Sequence, residues 1–143
     1  PAGIGADGNQ GVSAEIRQSS GAIGYVELSA ARQNRLPAAI LENRQGKFIS
    51  PTPEAAAEAL VGVEVPEDFA LTIADPTAPK AYPIVGLTWL LLYGEYNQPV
   101  KKTILNNFVR WALTEGKPYA VEMGYLPLAP DLREKVLTAL TAP

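Results

Sequence analysis

The sequence predicts an α/β protein with two lobes, and three observations support this prediction. Segments with a strand-like pattern alternate with helix-like segments along the 143 residues. Residues 84–93 are almost continuously apolar, which is typical of a strand covered by helices on both faces. Residues 75–79 read Asp-Pro-Thr-Ala-Pro, and such a proline-dense connection is typical of a boundary between domains.

The first half of the chain predicts two helical segments, one strand and one hairpin. Asn9 is expected to cap a helix that runs to about Gln18, because its side chain can accept hydrogen bonds from the first turn. Residues 22–28 alternate apolar and small side chains and predict a short strand, with a helical turn at residues 29–34. Residues 38–50 predict a hairpin with the sequence N-R-Q-G at its turn.

From Thr52 onwards, three further helices are predicted in addition to the apolar strand. Thr52 is expected to cap the first of them, since a proline and a glutamate follow it. A long helix is predicted over residues 99–114, where Phe108 and Trp111 share one apolar face that we expect to pack in a core. A final amphipathic helix is predicted over residues 131–140, and no regular element is predicted between the last two helices.

The composition argues against several classes of function. The formal net charge is −3 and the basic residues are scattered, so a nucleic-acid partner is not expected. The chain contains no histidine and no cysteine, which excludes disulfides, thiol nucleophiles, Cys/His zinc sites and histidine acid–base catalysis. No G-x-S-x-G motif occurs, and no two carboxylates have a defined separation. We therefore do not expect an enzyme.

The glycine-rich start of the chain offers two candidate sites. Residues 3–8 match G-x-G-x-x-G with Glu27 downstream, but a dinucleotide site needs a strand before the first glycine, and only two residues precede it. Gly8 and Asn9 lie at a predicted helix start, where free backbone N–H groups favour anions. These two residues are the candidate ligand-binding residues, with capping as the alternative role for Asn9. No catalytic or metal-binding residue is predicted.

A series of short motifs runs along the chain. It begins with G-N-Q-G-V at residues 8–12 and G-A-I-G-Y-V-E at residues 21–27. It continues with A-R-Q-N at 31–34, G-K-F at 46–48, S-P-T at 50–52, Y-P-I at 82–84, F-x-x-W at 108–111 and G-Y-L-P-L at 124–128. Together these motifs resemble the periplasmic phosphate-binding proteins of bacterial ABC transporters, and the similarity covers essentially the whole chain.

The resemblance implies a periplasmic-binding-protein fold of type II, in which two lobes bury a tetrahedral oxyanion and no cofactor is needed. Burial of an ionised anion is costly unless hydrogen bonds replace its water, so such sites gather helix N-termini, hydroxyls and an arginine. In this family those groups lie mainly upstream of the segment seen here. We therefore expect the chain to lack most of the phosphate site.

By the same resemblance, the chain is a C-terminal fragment that contributes to both lobes. Residues 1–78 would complete the second lobe, residues 79–82 would form a hinge crossover, and residues 83–143 would return to the first lobe. The expected partners are inorganic phosphate, through the full-length protein, an ABC permease, and the N-terminal half of the same protein. The expected location is periplasmic or at the cell surface. Because the chain starts without an initiator methionine, an upstream segment is expected to have been removed or left out.

Two alternatives from other classes stay open. The chain could be a stand-alone or domain-swapped interaction module without anion binding, which a concentration-dependent dimer would favour. The family could also have changed to a signalling or enzymatic role with a different ligand in the cleft. Loss of an R-x-x-x-S-G-T motif from the upstream half would favour that second alternative.

Overall fold

The computed structural model describes residues 3–141, which contain six helices and one two-stranded sheet. The chain divides into two compact units, Pro1–Ile40 and Leu41–Pro143. The first unit contains α1 (Gly8–Gln18) and α2 (Leu28–Gln33). The second contains β1 (Leu41–Glu42), β2 (Phe48–Ile49), α3 (Pro53–Glu58), α4 (Pro99–Leu113), α5 (Lys117–Glu122) and α6 (Pro130–Ala139).

In the first unit, α1 packs against α2 through small side chains. Ser13, Ala30 and Ala31 are buried there. The helix α1 begins after Asp7, so the prediction that Asn9 caps it is wrong. Asn9 lies inside the first turn, and its side-chain oxygen accepts a hydrogen bond from a backbone N–H much farther along the chain.

The strand predicted at residues 22–28 does not form. Residues 22–27 have no regular secondary structure, and Ile23 and Tyr25 are 98% and 91% exposed. A strand needs a neighbour to satisfy its N–H and C=O groups, and no other part of residues 3–141 pairs with this segment. The helical turn predicted after it is confirmed as α2.

The predicted hairpin is confirmed in the second unit. Strands β1 and β2 are antiparallel, with Leu41 opposite Ile49. The turn ends at Gly46, whose φ of +71° lies in the left-handed region that favours glycine. The backbone N–H of Gly46 donates to the carbonyl of Asn43 at 2.9 Å, which closes the turn.

The predicted helices of the second unit are also confirmed. Thr52 caps α3, since its hydroxyl oxygen accepts a hydrogen bond from the N–H of Ala55 at 3.1 Å. The long helix and the final helix are found as α4 and α6. The short helix α5 was not predicted, because its six residues show no clear apolar periodicity.

Residues 84–93 do not form the predicted strand. The only pairing in the described part of this segment is an isolated bridge between Ile84 and Ala74. Leu91 is 90% exposed and Tyr93 is 79% exposed. A strand that is apolar on both faces needs sheet neighbours and covering helices, and residues 3–141 supply neither for it.

The apolar face of α4 is also largely uncovered. Ile104, Phe108 and Trp111 are exposed, so the predicted packing of this face in a core is not found among the described residues. The rings of Phe108 and Trp111 stack with their centroids 6.1 Å apart. The ring centroids of Trp111 and Tyr119 are 6.0 Å apart. The buried apolar side chains of the second unit are small: Ala55, Ala59, Ala81 and Val109.

Candidate functional site

The motifs at residues 8–12 and 21–27, together called the glycine-rich motif, meet in the first unit. The side-chain oxygen of Asn9 accepts a hydrogen bond from the N–H of Glu27 at 3.0 Å, which joins the start of α1 to the residue that precedes α2. Gly24 lies directly on α1: a Cβ atom there would lie 2.9 Å from Cδ1 of Ile16 and 3.1 Å from Cγ1 of Val12. A glycine at this position therefore allows the chain to approach the helix closely.

The predicted anion-binding residues Gly8 and Asn9 lie at the start of α1. Gly8 has a φ of +60° and is the first residue of the helix. Asp7 precedes it, and a carboxylate at this end already complements the positive end of the helix dipole. The side-chain oxygen of Asn9 is engaged within the chain. Ligand binding by Gly8 and Asn9 stays a prediction.

The G-x-G-x-x-G match does not have the surroundings of a dinucleotide site. From Gly3 onwards, residues 3–6 are neither helix nor strand, so the described chain contains no strand that leads into these glycines. Glu27 lies at the N-terminal end of α2, where its backbone N–H is bonded to Asn9. The arrangement of strand, tight turn and helix that such a site requires is therefore not found in the described residues.

Residues 79–82, for which the sequence predicts a hinge crossover, are hydrogen-bonded to the hairpin of the second unit. Asn43 is 5% exposed, and its side-chain N–H groups donate to the carbonyls of Pro79 at 3.1 Å and Ala81 at 3.3 Å. Its side-chain oxygen accepts from the backbone N–H groups of Gln45 at 3.0 Å and Lys47 at 3.1 Å. One side chain therefore fixes both the hairpin turn and the crossover.

Three further contacts reinforce this attachment. The side-chain amide of Gln45 donates to the carbonyl of Thr77 at 3.2 Å, and the N–H of Tyr82 donates to the carbonyl of Ala55 at 3.0 Å. Arg44 lies 3.8 Å from the carboxylate of Asp75, but both side chains are 59% exposed. An ion pair this exposed contributes little to stability.

Sequence reasoning missed Asn43 as a linking residue. The N-x-x-G pattern predicted its turn, since an asparagine oxygen can accept from the N–H groups that follow it. The two donors of its side chain reach carbonyls 36 and 38 residues away. No local pattern in the sequence identifies such distant partners.

Tyr82, next in the crossover, lies in a partly buried environment. Burial raises the pKa of the Tyr82 phenol above its ordinary value of 10.0, because the phenolate is less well solvated there. The phenol therefore stays neutral over a wider range of pH than an exposed tyrosine.

The described surface has a groove of about 540 Å³ beside α4 and the end of α6. Lys102, Asn106 and Arg110 line it, and it is open to solvent rather than enclosed. In residues 3–141 no group of three or more histidine, cysteine, aspartate or glutamate side chains is arranged to hold a metal ion. The same residues contain no helix both long enough and apolar enough to span a bilayer.

The family follows from a comparison with known sequences. Residues 1–115 match the family described as the PBP superfamily domain. The chain belongs to the PBP superfamily. The periplasmic-binding-protein fold predicted from the motifs is confirmed at that level.

Individual relatives match nearly the whole chain. The phosphate-binding protein PstS of Xylella fastidiosa (strain 9a5c) is 32% identical over 138 residues, which cover 95% of this chain and 38% of the relative. The protein of the same name from Methanocaldococcus jannaschii is 36% identical over 152 residues, covering 96% and 39%. That of Pasteurella multocida (strain Pm70) is 31% identical over 138 residues, covering 95% and 40%.

These relatives confirm the resemblance to phosphate-binding proteins. The chain spans about two fifths of the length of the curated relatives it matches. The names of the relatives describe binding rather than catalysis, which supports a non-enzymatic role at the level of the family.

Proposed function

We propose that the chain is part of the extracytoplasmic solute-binding component of a phosphate ABC transporter. The complete protein binds inorganic phosphate by closing two lobes and presents it to an ABC permease. The observation that carries this proposal is the similarity of 95% of the chain to proteins named for phosphate binding. The fold is of type II, and the location is periplasmic or at the cell surface.

The proposed division into lobes follows the crossover. Residues 1–78 complete the second lobe, residues 79–82 form the hinge, and residues 83–143 return to the first lobe. The burial of Ala81 and the two hydrogen bonds from Asn43 support this role, because they attach the segment to a residue of the proposed second lobe.

The phosphate site requires residues outside this chain. Burial of phosphate needs several convergent donors in an enclosed cavity, whereas the groove beside α4 is open. The matched relatives are more than twice as long as the region they share with this chain, so the rest of the protein has room for those donors. No cofactor takes part in this function.

The N-terminal half of the same protein is the proposed cover for the exposed apolar segments. Ile23 and Tyr25 in residues 22–27, and Leu91 and Tyr93 in residues 84–93, are strongly exposed. Both segments have strand-like sequences, and apart from the isolated bridge between Ile84 and Ala74 neither has a strand partner among residues 3–141. Burial of such a surface is favourable by roughly 25 cal/mol per Å², and exposed patches of this kind mark interaction sites.

The same exposed segments favour one second candidate, a domain-swapped dimer without anion binding. A second copy could pair with residues 22–27 and 84–93 through identical edges. This candidate differs from the first in two measurable respects. The average molecular mass of the isolated chain in solution rises with protein concentration as the dimer forms, and the dimer has no affinity for phosphate.

Native mass spectrometry tests the two candidates. The isolated chain is mixed with the N-terminal half of its protein, expressed separately, and phosphate is then added. The proposed function predicts a one-to-one complex of the two halves that retains phosphate and separates on denaturation. A homodimer of the chain that excludes the N-terminal half and does not retain phosphate would contradict it and favour the second candidate.

A further inference from the structure

Asn43 uses the full hydrogen-bonding capacity of its side chain. A carboxamide has two N–H donors and one oxygen that can accept twice. Both donors reach the crossover, at Pro79 and Ala81, and both acceptor positions hold the hairpin turn. A buried polar group with every partner in place fixes the relative position of the segments it joins.

The chemistry of this position requires an amide. A serine has a single donor, and a glutamine is longer by one methylene group. An aspartate has nearly the same shape and can still accept from the turn, but it presents oxygen instead of N–H to the carbonyls of Pro79 and Ala81. The substitution Asn43→Asp therefore removes the attachment of the crossover while the turn keeps its acceptor.

The other restraints on the crossover come from the same part of the chain. Gln45 bonds to Thr77 just before the crossover, and Tyr82 at its end bonds to Ala55. Residues in the segment from β1 to α3 therefore hold the crossover in place. Within that segment, the side chain of Asn43 is buried and makes hydrogen bonds to the crossover.

We propose that Asn43 is a positioning residue for the hinge, which fixes residues 79–82 to the β1–β2 hairpin and so sets how readily the two lobes close on phosphate. This inference rests on the proposed function. It assigns to Asn43 no contact with phosphate. When the hydrogen bonds from Asn43 are lost, the crossover can adopt alternative positions. A smaller fraction of molecules then has its lobes in the arrangement that binds phosphate.

The expected loss of phosphate affinity depends on the fraction of molecules that can bind phosphate. The apparent dissociation constant rises in inverse proportion to the fraction of molecules that can bind, so a tenfold smaller fraction weakens phosphate affinity about tenfold. We expect an effect of this order for Asn43→Asp in the complete protein.

Asn106 supplies a matched control. Its side-chain amide donates to the carbonyl of Leu140 at 3.0 Å, 34 residues away, and this bond joins α4 to the end of α6 without touching the crossover. Asn106→Asp therefore also replaces a donating side-chain nitrogen by an oxygen, but at a different long-range contact. It is expected to lower the melting temperature without a change in phosphate affinity.

The test uses the complete protein that contains this chain, with inorganic phosphate as the probe. Affinity is measured by calorimetry, lobe closure by small-angle X-ray scattering with and without phosphate, and crossover mobility by hydrogen exchange of residues 80–82. Asn43→Asp is expected to weaken affinity, to reduce compaction at a given phosphate concentration, and to accelerate exchange at these amides. Asn106→Asp is expected to leave the phosphate affinity, the compaction and the exchange of residues 80–82 as they are in the unsubstituted protein.

Unchanged affinity and exchange in a folded Asn43→Asp protein would overturn the inference. An equal loss of affinity in Asn106→Asp would also overturn it, because the effect would then come from general destabilisation. If Asn43→Asp does not fold, Gln45→Ala removes the exposed bond to Thr77, two residues before the crossover, and is expected to accelerate exchange of residues 80–82; unchanged exchange would overturn the inference. Failure of the unsubstituted protein to bind phosphate would contradict the proposed function, while the exchange rates would still decide whether Asn43 holds the crossover.

Discussion

The side-chain oxygen of Asn9 and the backbone N–H of Glu27 form a hydrogen bond of 3.0 Å across 18 residues of sequence. This bond joins the first turn of α1 to the start of α2. The two parts of the glycine-rich motif, residues 8–12 and 21–27, therefore each supply one side of the same contact. The motif therefore has a structural role in the first unit, whether or not its residues also meet a ligand.

Removal of the Asn9 side chain tests this role. Asn9→Ala leaves the N–H of Glu27 without its acceptor, and we expect the free energy of unfolding to fall by about 1 kcal/mol. Asn9→Asp keeps an acceptor oxygen at the same place and is expected to lose less stability. Urea denaturation of the two variants measures the difference. Equal stability of Asn9→Ala and the unsubstituted chain would show that the bond does not stabilise the fold.

The buried hydroxyl of Ser13 predicts a stabilising substitution. Ser13 is fully buried in α1, and its hydroxyl oxygen has no hydrogen-bond partner within residues 3–141. An unpaired buried polar group costs roughly 1–3 kcal/mol. Ser13→Ala removes this cost without a large cavity, so the free energy of unfolding should rise by about 1 kcal/mol. Ser20→Ala, at an exposed position, is the control and should change little. A loss of stability in Ser13→Ala would contradict this prediction.

Tyr82 predicts a dependence of stability on pH. Burial raises the pKa of its phenol above 10.0, so the folded chain binds this proton more tightly than the unfolded chain does. The corresponding stability is fully present below about pH 10 and is lost as the pH rises through the higher pKa of the folded state.

Comparison of variants isolates this contribution. The free energy of unfolding of the unsubstituted chain should fall more steeply above about pH 10 than that of Tyr82→Phe, which has no ionisable group there. Tyr25→Phe, at a side chain that is 91% exposed, should keep the steep fall. Parallel curves for Tyr82→Phe and the unsubstituted chain would mean that Tyr82 ionises alike in both states.

The parts of the fold that sequence could predict are those whose partners are close in the chain. The hydroxyl of Thr52 caps α3 through a residue three positions away, and Gly46 ends a four-residue turn that closes on Asn43. In both cases the residue type and its spacing determine the geometry. The helices α4 and α6 were also predicted, because their apolar periodicity is local.

The parts that sequence could not predict depend on distant partners. Residues 22–28 and 84–93 have strand-like composition, but a strand exists only where a neighbour is present. Asn9 has the residue type of a cap, yet Glu27 engages its oxygen instead. The hydrogen bonds from Asn43 to Pro79 and Ala81 were missed for the same reason. The family, in contrast, could be identified from motif order alone.

Phosphate titration of two samples, the complete protein and the isolated chain of 143 residues, tests most directly whether this chain is one part of a phosphate-binding protein. We predict that the complete protein binds inorganic phosphate in the micromolar range or more tightly, and that the isolated chain does not bind at those concentrations. Equal affinity in both samples would mean that the chain holds a whole site of its own. No binding by the complete protein would contradict the proposed function.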